Sequence, residues 1–386
     1  MFSGLMPNIK LYFNFQFKNR TLTKFSSVCR NYSISSNVHE PPWRVLFFGT
    51  DEFSLESLKL LCAKLRTGTL MKSLGIVTKK ESAIAKFGTN ENLPMYNWPV
   101  DLSEIKSQYD VGMVVSFGNL IPKKIIDELP LGCINVHASL LPRWRGAAPI
   151  IHALIAGDTE TGVTVMRIHP HKFDVGEIVR QYRVPIGCHD TAINLEKNLA
   201  IHGSQLLMEC LRNLKNCLVH AIPQTEEGVT YAPKVVPSMA KIDWSTSDAK
   251  AVINLYRGLS HLYLPKTAWH GTVIRLKKIS LDPLPVQRDT VLHCSSDSEN
   301  LKISAVDFLN SSSNSGFNFN KGPPHLMCKD SGKCFYNTES KVLRVVCADG
   351  QSVIIEKLQV GSKLLTAIDF YNGYMSKRKK SEWFFS

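Results

Sequence analysis

The sequence predicts an α/β domain with a mostly parallel sheet, followed by a smaller β-barrel domain. Three observations carry this. Short apolar runs alternate with helix-length segments through the first part of the chain. Prolines at 223, 233 and 237 then interrupt that pattern. Beyond them, strand-like pieces are separated by loops rather than by crossover helices.

The first strand is expected at residues 43–49 (WRVLFFG), an apolar run of strand length that leads into a turn at Gly49, Thr50 and Asp51. Asp51 is a suitable N-cap for the helix that follows, in which Phe53, Leu55, Leu58, Leu60 and Leu61 form an approximately helical stripe. Further strands are expected at 74–77, 111–115, 133–136, 163–168 and 178–184, and helices at 122–128, 148–156 and 192–214. In such a sheet, ligand sites form at the C-terminal ends of the strands. After about Ile222 a helix at 247–259 precedes strand candidates at 272–276, 342–346 and 352–358, which suggests a small barrel. The Ser-, Asn- and Gly-rich stretch 310–321 reads as an irregular, mobile insertion. The chain thus divides into a leader at 1–40, a first domain at 41–222, a linker at 223–240 and a second domain at 241–386.

A length of 386 residues suits two domains of ordinary size, and 44% hydrophobic with 20% charged residues is typical of a globular protein. No apolar run reaches the roughly 18 residues needed to span a bilayer, so no membrane partner is expected. The ten cysteines lie far apart, without the paired short spacings of a zinc site, and read as reduced thiols. Net charge is +13, unevenly distributed. Residues 41–231 hold twenty Lys or Arg against nineteen acids (+1), whereas residues 232–386 hold twenty-one against thirteen (+8). A neutral first domain with a basic second one suggests that one unit does chemistry while the other holds a polyanion, nucleic acid being the commonest. A generally basic solvated surface gives the same count. The first 39 residues contain no Asp or Glu but carry Lys10, Lys18, Arg20, Lys24 and Arg30 among Ser, Thr, Asn and Phe. That is the composition of a mitochondrial transit peptide.

Residues 134–149 (INVHASLLPRWRGAAP) are the most informative segment. Asn135 and His137 are two apart, so on a strand they share a face, and an amide donor and an imidazole meet at the strand's end. A lone histidine is more often structural than catalytic. The tail that follows, Ser139, Leu140, Leu141 and Pro142, then Arg143, Trp144, Arg145 and Gly146, mixes apolar, basic and Gly/Pro residues in a way a simple loop does not need.

This segment resembles the folate-dependent formyltransferases, whose hallmark is a strand ending Asn-x-His followed by SLLP and RG. Residues 157–164 (GDTETGVT) resemble the family's next segment, and residues 173–177 (FDVGE) its Asp-x-Gly turn, which supplies a third catalytic residue, here Asp174. The similarity reaches upstream to 48–53 (FGTDEF) and 115–122 (VSFGNLIP). Downstream, Tyr231 to Lys234, Ile242 to Trp244, and the stretches 358–363 and 369–373 resemble the branch whose acceptor is methionine carried on an initiator tRNA. The resemblance covers about residues 43–375. It implies a Rossmann-like formyltransferase domain, an OB-like second domain, 10-formyltetrahydrofolate as co-substrate, and a monomer of the mitochondrial matrix. No metal and no covalent enzyme intermediate are required.

The implied roles follow the chemistry. Asn135 would donate to the developing oxyanion, His137 would share that task and relay a proton, and Asp174 would orient His137 and favour its charged form. The family sets Ser139, Leu140, Leu141 and Pro142 against the folate, with Phe117, Gly118 and Asn119 lining the pterin pocket. Where many bacterial relatives carry a longer Gly/Pro/Arg-rich loop that reaches the acceptor stem, this chain has TKKESAIAKFG, leaving Lys79, Lys80 and Lys86, with Arg143 and Arg145, as candidate tRNA contacts. His169 and His171 read as structural or surface residues. A formyltransferase for a small amine would share this core, but it has no use for a basic second domain. An RNA-binding barrel fused to an inactive fold would not need Asn135, His137 and Asp174.

Overall fold

The computed structural model describes residues 40–283 and 328–386. Residues 1–39 of the expected leader and the 310–321 stretch lie outside them. The first sheet comprises β1 (Trp43–Phe48), β2 (Met71–Thr78), β3 (Met95–Asn97), β4 (Val111–Val115), β5 (Cys133–His137), β6 (Glu160–Arg167) and β7 (Ile178–Pro185), in the order β3-β2-β1-β4-β5-β6-β7. Strands β1 to β5 are parallel; β6 pairs antiparallel with β5, and β7 antiparallel with β6. The expected mostly parallel sheet is therefore present, with an antiparallel edge. The strand order changes direction between β1 and β4, and at such a switch point the strand ends leave a crevice.

The helices are α1 (Glu52–Leu65), α2 (Ala83–Asn90), α3 (Leu102–Ile105), α4 (Lys123–Glu128), α5 (Pro149–Ala156), α6 (Ala192–Arg212) and α7 (Leu214–Val219). Asp51 caps α1 as expected, its carboxylate accepting from the Ser54 N–H while Ser54 Oγ is shared back with the Asp51 backbone. Phe53, Leu58 and Leu61 are buried, each such side chain contributing about 1.5–3 kcal/mol. Helix α5 starts with Pro149 in its first turn and stops at Gly157, whose φ of 74° suits a residue without Cβ. Helix α6 lays Leu195, Leu199, Gly203 and Leu206 inward, and Gly203 lets it approach Val136 on β5.

Helix α2 departs from the expected loop. Ser82 accepts from the Ala85 N–H, and Ile84 and Gly88 turn to the core one helical turn apart, which is sufficient for eight residues. Lys86 is thus on an exposed helix face, not in a loop.

The second part begins with α8 (Ala249–Leu259), capped by Asp248, followed by β8 (Lys266–Trp269), β9 (Thr272–Leu281), β10 (Cys334–Asn337), β11 (Val342–Val346), β12 (Ser352–Val360), β13 (Lys363–Thr366) and α9 (Ala367–Phe370). The order is β10-β11-β12-β9-β8, with β13 also on β12, and every pairing is antiparallel. It is an antiparallel half-barrel. The chain end is sewn back into it: Ser386 exchanges backbone hydrogen bonds with Ala268, and Trp383 and Phe385 are buried with Trp244, Trp269 and Phe370. Helix α8 docks on α5, where a Cβ at Gly258 would lie 3.3 Å from the Ile151 carbonyl oxygen. Arg257 of α8 donates to the carbonyls of Asp190 and Gly187.

Candidate active site

The strand ends leave a cleft of about 890 Å³. Thr50 and Asp51 line it after β1, residues 116–121 after β4, and Asn135 and His137 at the end of β5. Strand alternation puts Asn135 and His137 on one face, as expected. His137 is 6% exposed and Asp174 reaches it from the β6–β7 connection, with Nδ1 3.5 Å from Oδ1. The other ring nitrogen, Nε2, is 2.9 Å from the Trp144 carbonyl oxygen. Both ring nitrogens therefore face oxygen atoms, Nδ1 that of Asp174 and Nε2 that of Trp144. Among the described residues the Asn135 amide has no hydrogen-bond partner. It is half-buried at the cleft wall, with its donors available to a bound oxygen.

Asp174 stands at φ 55° and Trp144 at φ 66°, left-handed positions costly for residues with a Cβ. They hold because their surroundings are over-determined. Asp174 Oδ2 accepts from the Gly146 N–H at 2.9 Å, and the Trp144 N–H donates to Thr230 Oγ1 at 2.8 Å. Gly146 has φ 129°, and a Cβ there would stand 2.5 Å from the Ala232 carbonyl oxygen. Backbone cannot yield as a side-chain tip can. Gly146→Ala is expected to cost about 1–3 kcal/mol, read as a lower melting temperature; an unchanged one contradicts this packing.

The remaining expected site residues divide. Lys79 lines the cleft and Lys80 and Lys86 are exposed outside it. Arg143 forks onto Asp158 at 2.8 and 2.6 Å, which raises its pKa, and lies 4.5 Å over the Trp144 ring, leaving its side chain 43% exposed. Arg145 turns inward. It is 7% exposed with its guanidinium on Gln224, so a phosphate contact is not open to it. Gly118 and Asn119 present the β4 loop to the cleft, Gly118 at φ 70° with open space around it. Phe117 also lines the cleft, with its ring packed edge-on against Phe48 and Trp98. Ser139, Leu140, Leu141 and Pro142 are not among the cleft-lining residues. Ser139 is buried and donates to the Arg143 carbonyl, the Leu141 N–H donates to Thr164 Oγ1, and Leu140 packs over Gly162. The run shapes the loop behind His137 rather than the cleft surface.

Other cleft residues escaped the sequence reading. Lys172 and Phe173 flank Asp174, Lys234 comes from the linker, and His261, Leu262 and Tyr263 come from the turn after α8. His169 also lines the cleft and is paired with Glu177 at 2.9 Å, which raises the imidazole's pKa and lowers the carboxyl's. Glu196 on α6 faces the cleft floor, its pKa raised by burial and then by the charge of Asp51.

A sequence profile described as Formyl transferase matches residues 100–211. The human protein named methionyl-tRNA formyltransferase, mitochondrial, is 36% identical over 352 residues, covering 88% of this chain and 80% of its own length. Its bovine counterpart is 35% identical over 347 residues, covering 87% and 78%. The methionyl-tRNA formyltransferase of Paracoccus denitrificans (strain Pd 1222) is 37% identical over 228 residues, 56% of this chain and 75% of that one. Among solved structures, an N-formyltransferase from Helicobacter canadensis in complex with folinic acid and dTDP-3-aminofucose matches with a TM-score of 0.55 at 16% identity, covering 81% of this chain and 98% of that one. At that identity the likeness shows the fold alone. The two-part fold and the resemblance carried by residues 134–149 are both borne out. The chain belongs to the methionyl-tRNA formyltransferase family.

Proposed function

We propose that the chain transfers the formyl group of 10-formyltetrahydrofolate to the α-amino group of methionine on an initiator tRNA, giving formylmethionyl-tRNA for mitochondrial translation. The observation that carries this is the unpartnered Asn135 amide beside the His137–Asp174 pair at the end of β5, in a chain related over 88% of its length to methionyl-tRNA formyltransferases. The methionine nitrogen attacks the formyl carbon and the carbonyl pair moves onto oxygen; that pair then returns to re-form C=O as the C–N10 bond breaks and N10 takes up a proton. Asn135 donates to the oxygen while it carries the charge, a contribution often worth about 3 kcal/mol. Once the formyl group displaces the Trp144 carbonyl, His137 takes the proton from the attacking nitrogen at Nε2, donates from there to the oxygen, and then gives that proton to the leaving nitrogen. Asp174 holds the ring while its charge changes.

The folate lies along the Gly118–Asn119 side of the cleft in this reading, with residues 139–142 supporting the loop from behind. Residues 41–222 do the chemistry and residues 241–386 grip the tRNA, with Lys79, Lys80, Lys86 and Arg143 on the first part's surface. The protein acts as a monomer in the matrix, away from any bilayer. Offered methionyl-tRNA and an amino-sugar nucleotide together, with labelled 10-formyltetrahydrofolate, the protein is expected to label the tRNA. Label in the sugar alone overturns the reading. For the address, residues 1–40 fused to a reporter are expected to carry it into mitochondria; a purely cytosolic reporter contradicts the address without touching the chemistry.

A further inference from the structure

Gln224 belongs to the segment expected to be a linker, yet its side chain is engaged on every side. Nε2 donates to the Asp174 carbonyl at 2.9 Å and to the Gly176 carbonyl at 2.8 Å. Oε1 accepts from Arg145 Nε at 3.0 Å and Nη2 at 2.8 Å. Two donors and two acceptor sites are all that a carboxamide has. The surrounding backbone is tied in the same way. Ile222 exchanges hydrogen bonds with Ile178 at the start of β7, the Arg145 N–H donates to Thr230, and the Ala232 N–H donates to the Arg145 carbonyl. Residues 222–232 therefore bind together the two loops on which His137 depends: 144–146, which holds Nε2, and 174–176, which presents the carboxylate.

The position of that carboxylate needs external support. Asp174 sits at φ 55°, and Gly176 approaches β6 so closely that a Cβ would stand 1.8 Å from the Arg167 carbonyl oxygen. A left-handed aspartate flanked by such a contact keeps its conformation only where both its ends are fixed. Gly146 fixes the carboxylate; Gln224 fixes the carbonyl and, through Arg145, the loop to which Gly146 belongs. We propose that Gln224 is a positioning residue for formyl transfer, clamping the 174–176 turn to Arg145 so that Asp174 is aimed at His137. This rests on the reading of Asp174 as the partner of His137.

The test uses the full chain and a double-mutant cycle. Gln224→Ala, Asp174→Asn and the pair are compared in single-turnover formylation with both substrates saturating, with KM for each and melting curves alongside. Gln224→Ala is expected to slow transfer about 10- to 100-fold, the scale of a roughly 1 Å misplacement, with both KM values little changed. In the Asp174→Asn background the same substitution is expected to cost less than about twofold, because its effect passes through the missing carboxylate. Gln224→Glu keeps a partner for Arg145 while removing both donors to the turn. It serves if the alanine variant does not fold, and is expected to slow transfer likewise. Equal losses in the two backgrounds, a loss confined to KM, or wild-type rates in both Gln224 variants overturn the proposal. Full turnover in Asp174→Asn itself overturns the reading of Asp174 and the clamp with it, so the two failures are told apart.

Discussion

Alanine at Asn135, His137 or Asp174 is expected to abolish most turnover while tRNA affinity stays near that of the parent. For Asn135 the loss is about 10²- to 10³-fold, since one preorganised donor to the oxyanion disappears and water in the cleft replaces it poorly. For His137 it is about 10²- to 10⁴-fold, the usual span for a group that moves a proton in the transition state. Asp174→Ala does two things: it removes the acceptor facing His137 Nδ1 and strands the Gly146 N–H that donates to Oδ2. An unsatisfied donor costs about 1–3 kcal/mol, so this variant is expected to be less stable as well as slow. Asp174→Asn separates these, because an amide oxygen can still accept from Gly146. The losses of the trio are not expected to multiply, since the three act as one unit. Near-normal turnover at saturating substrates in any of these variants contradicts that residue's role.

The second large effect is on the salt dependence of tRNA binding. Lys377, Arg378, Lys379 and Lys380 are exposed, and the first three line a groove of about 520 Å³ with Trp269, His270 and Tyr374. Their setting is not that of a loose tail. The chain on one side of them ends in the turn 371–375 with Met375 buried, and on the other Trp383 and Phe385 are anchored in the core. Arg378 pairs with Glu382 at 3.4 Å, but both are about two-fifths exposed, and such a pair yields to a phosphate at little cost. Each phosphate neutralised contributes roughly 0.7–0.9 to the slope of log affinity on log salt. Replacing all four cations by glutamine is therefore expected to reduce that slope by up to about 3.6 and to weaken binding at low salt, while turnover at saturating tRNA is kept. Point substitution is a cleaner test than removing residues 236–386, which also strips α8 from α5 and withdraws Arg257 from Gly187 and Asp190. Parallel salt series for the parent and the variant would place the grip elsewhere.

The sequence showed the centre of the molecule better than its periphery. Strands β1 and β4 are near-continuous apolar runs because both their faces are covered, and in β5 the Asn-x-His spacing by itself puts two polar groups on one face. Helix α2 was not legible, since only Ile84 and Gly88 of its eight residues are buried. Strands β3, β8 and β13 are three or four residues long, too short to show a period. Residue type also misled about direction. An arginine next to a reactive loop suggests a phosphate, but Gln224, 79 residues away, draws Arg145 inward. The cleft's far wall, from Lys234 and the 261–263 turn, depends on α8 docking, which no local pattern announces.

The claim on which the account turns is that the formyl oxygen sits against Asn135 at the end of β5. Isotope-edited infrared spectroscopy of a 10-formyl folate analogue labelled at the formyl carbon reads the polarisation of that bond directly. A lower carbonyl stretching frequency is expected in the complex with the parent protein than in the complex with Asn135→Ala, at equal occupancy. The same frequency in both complexes would contradict it.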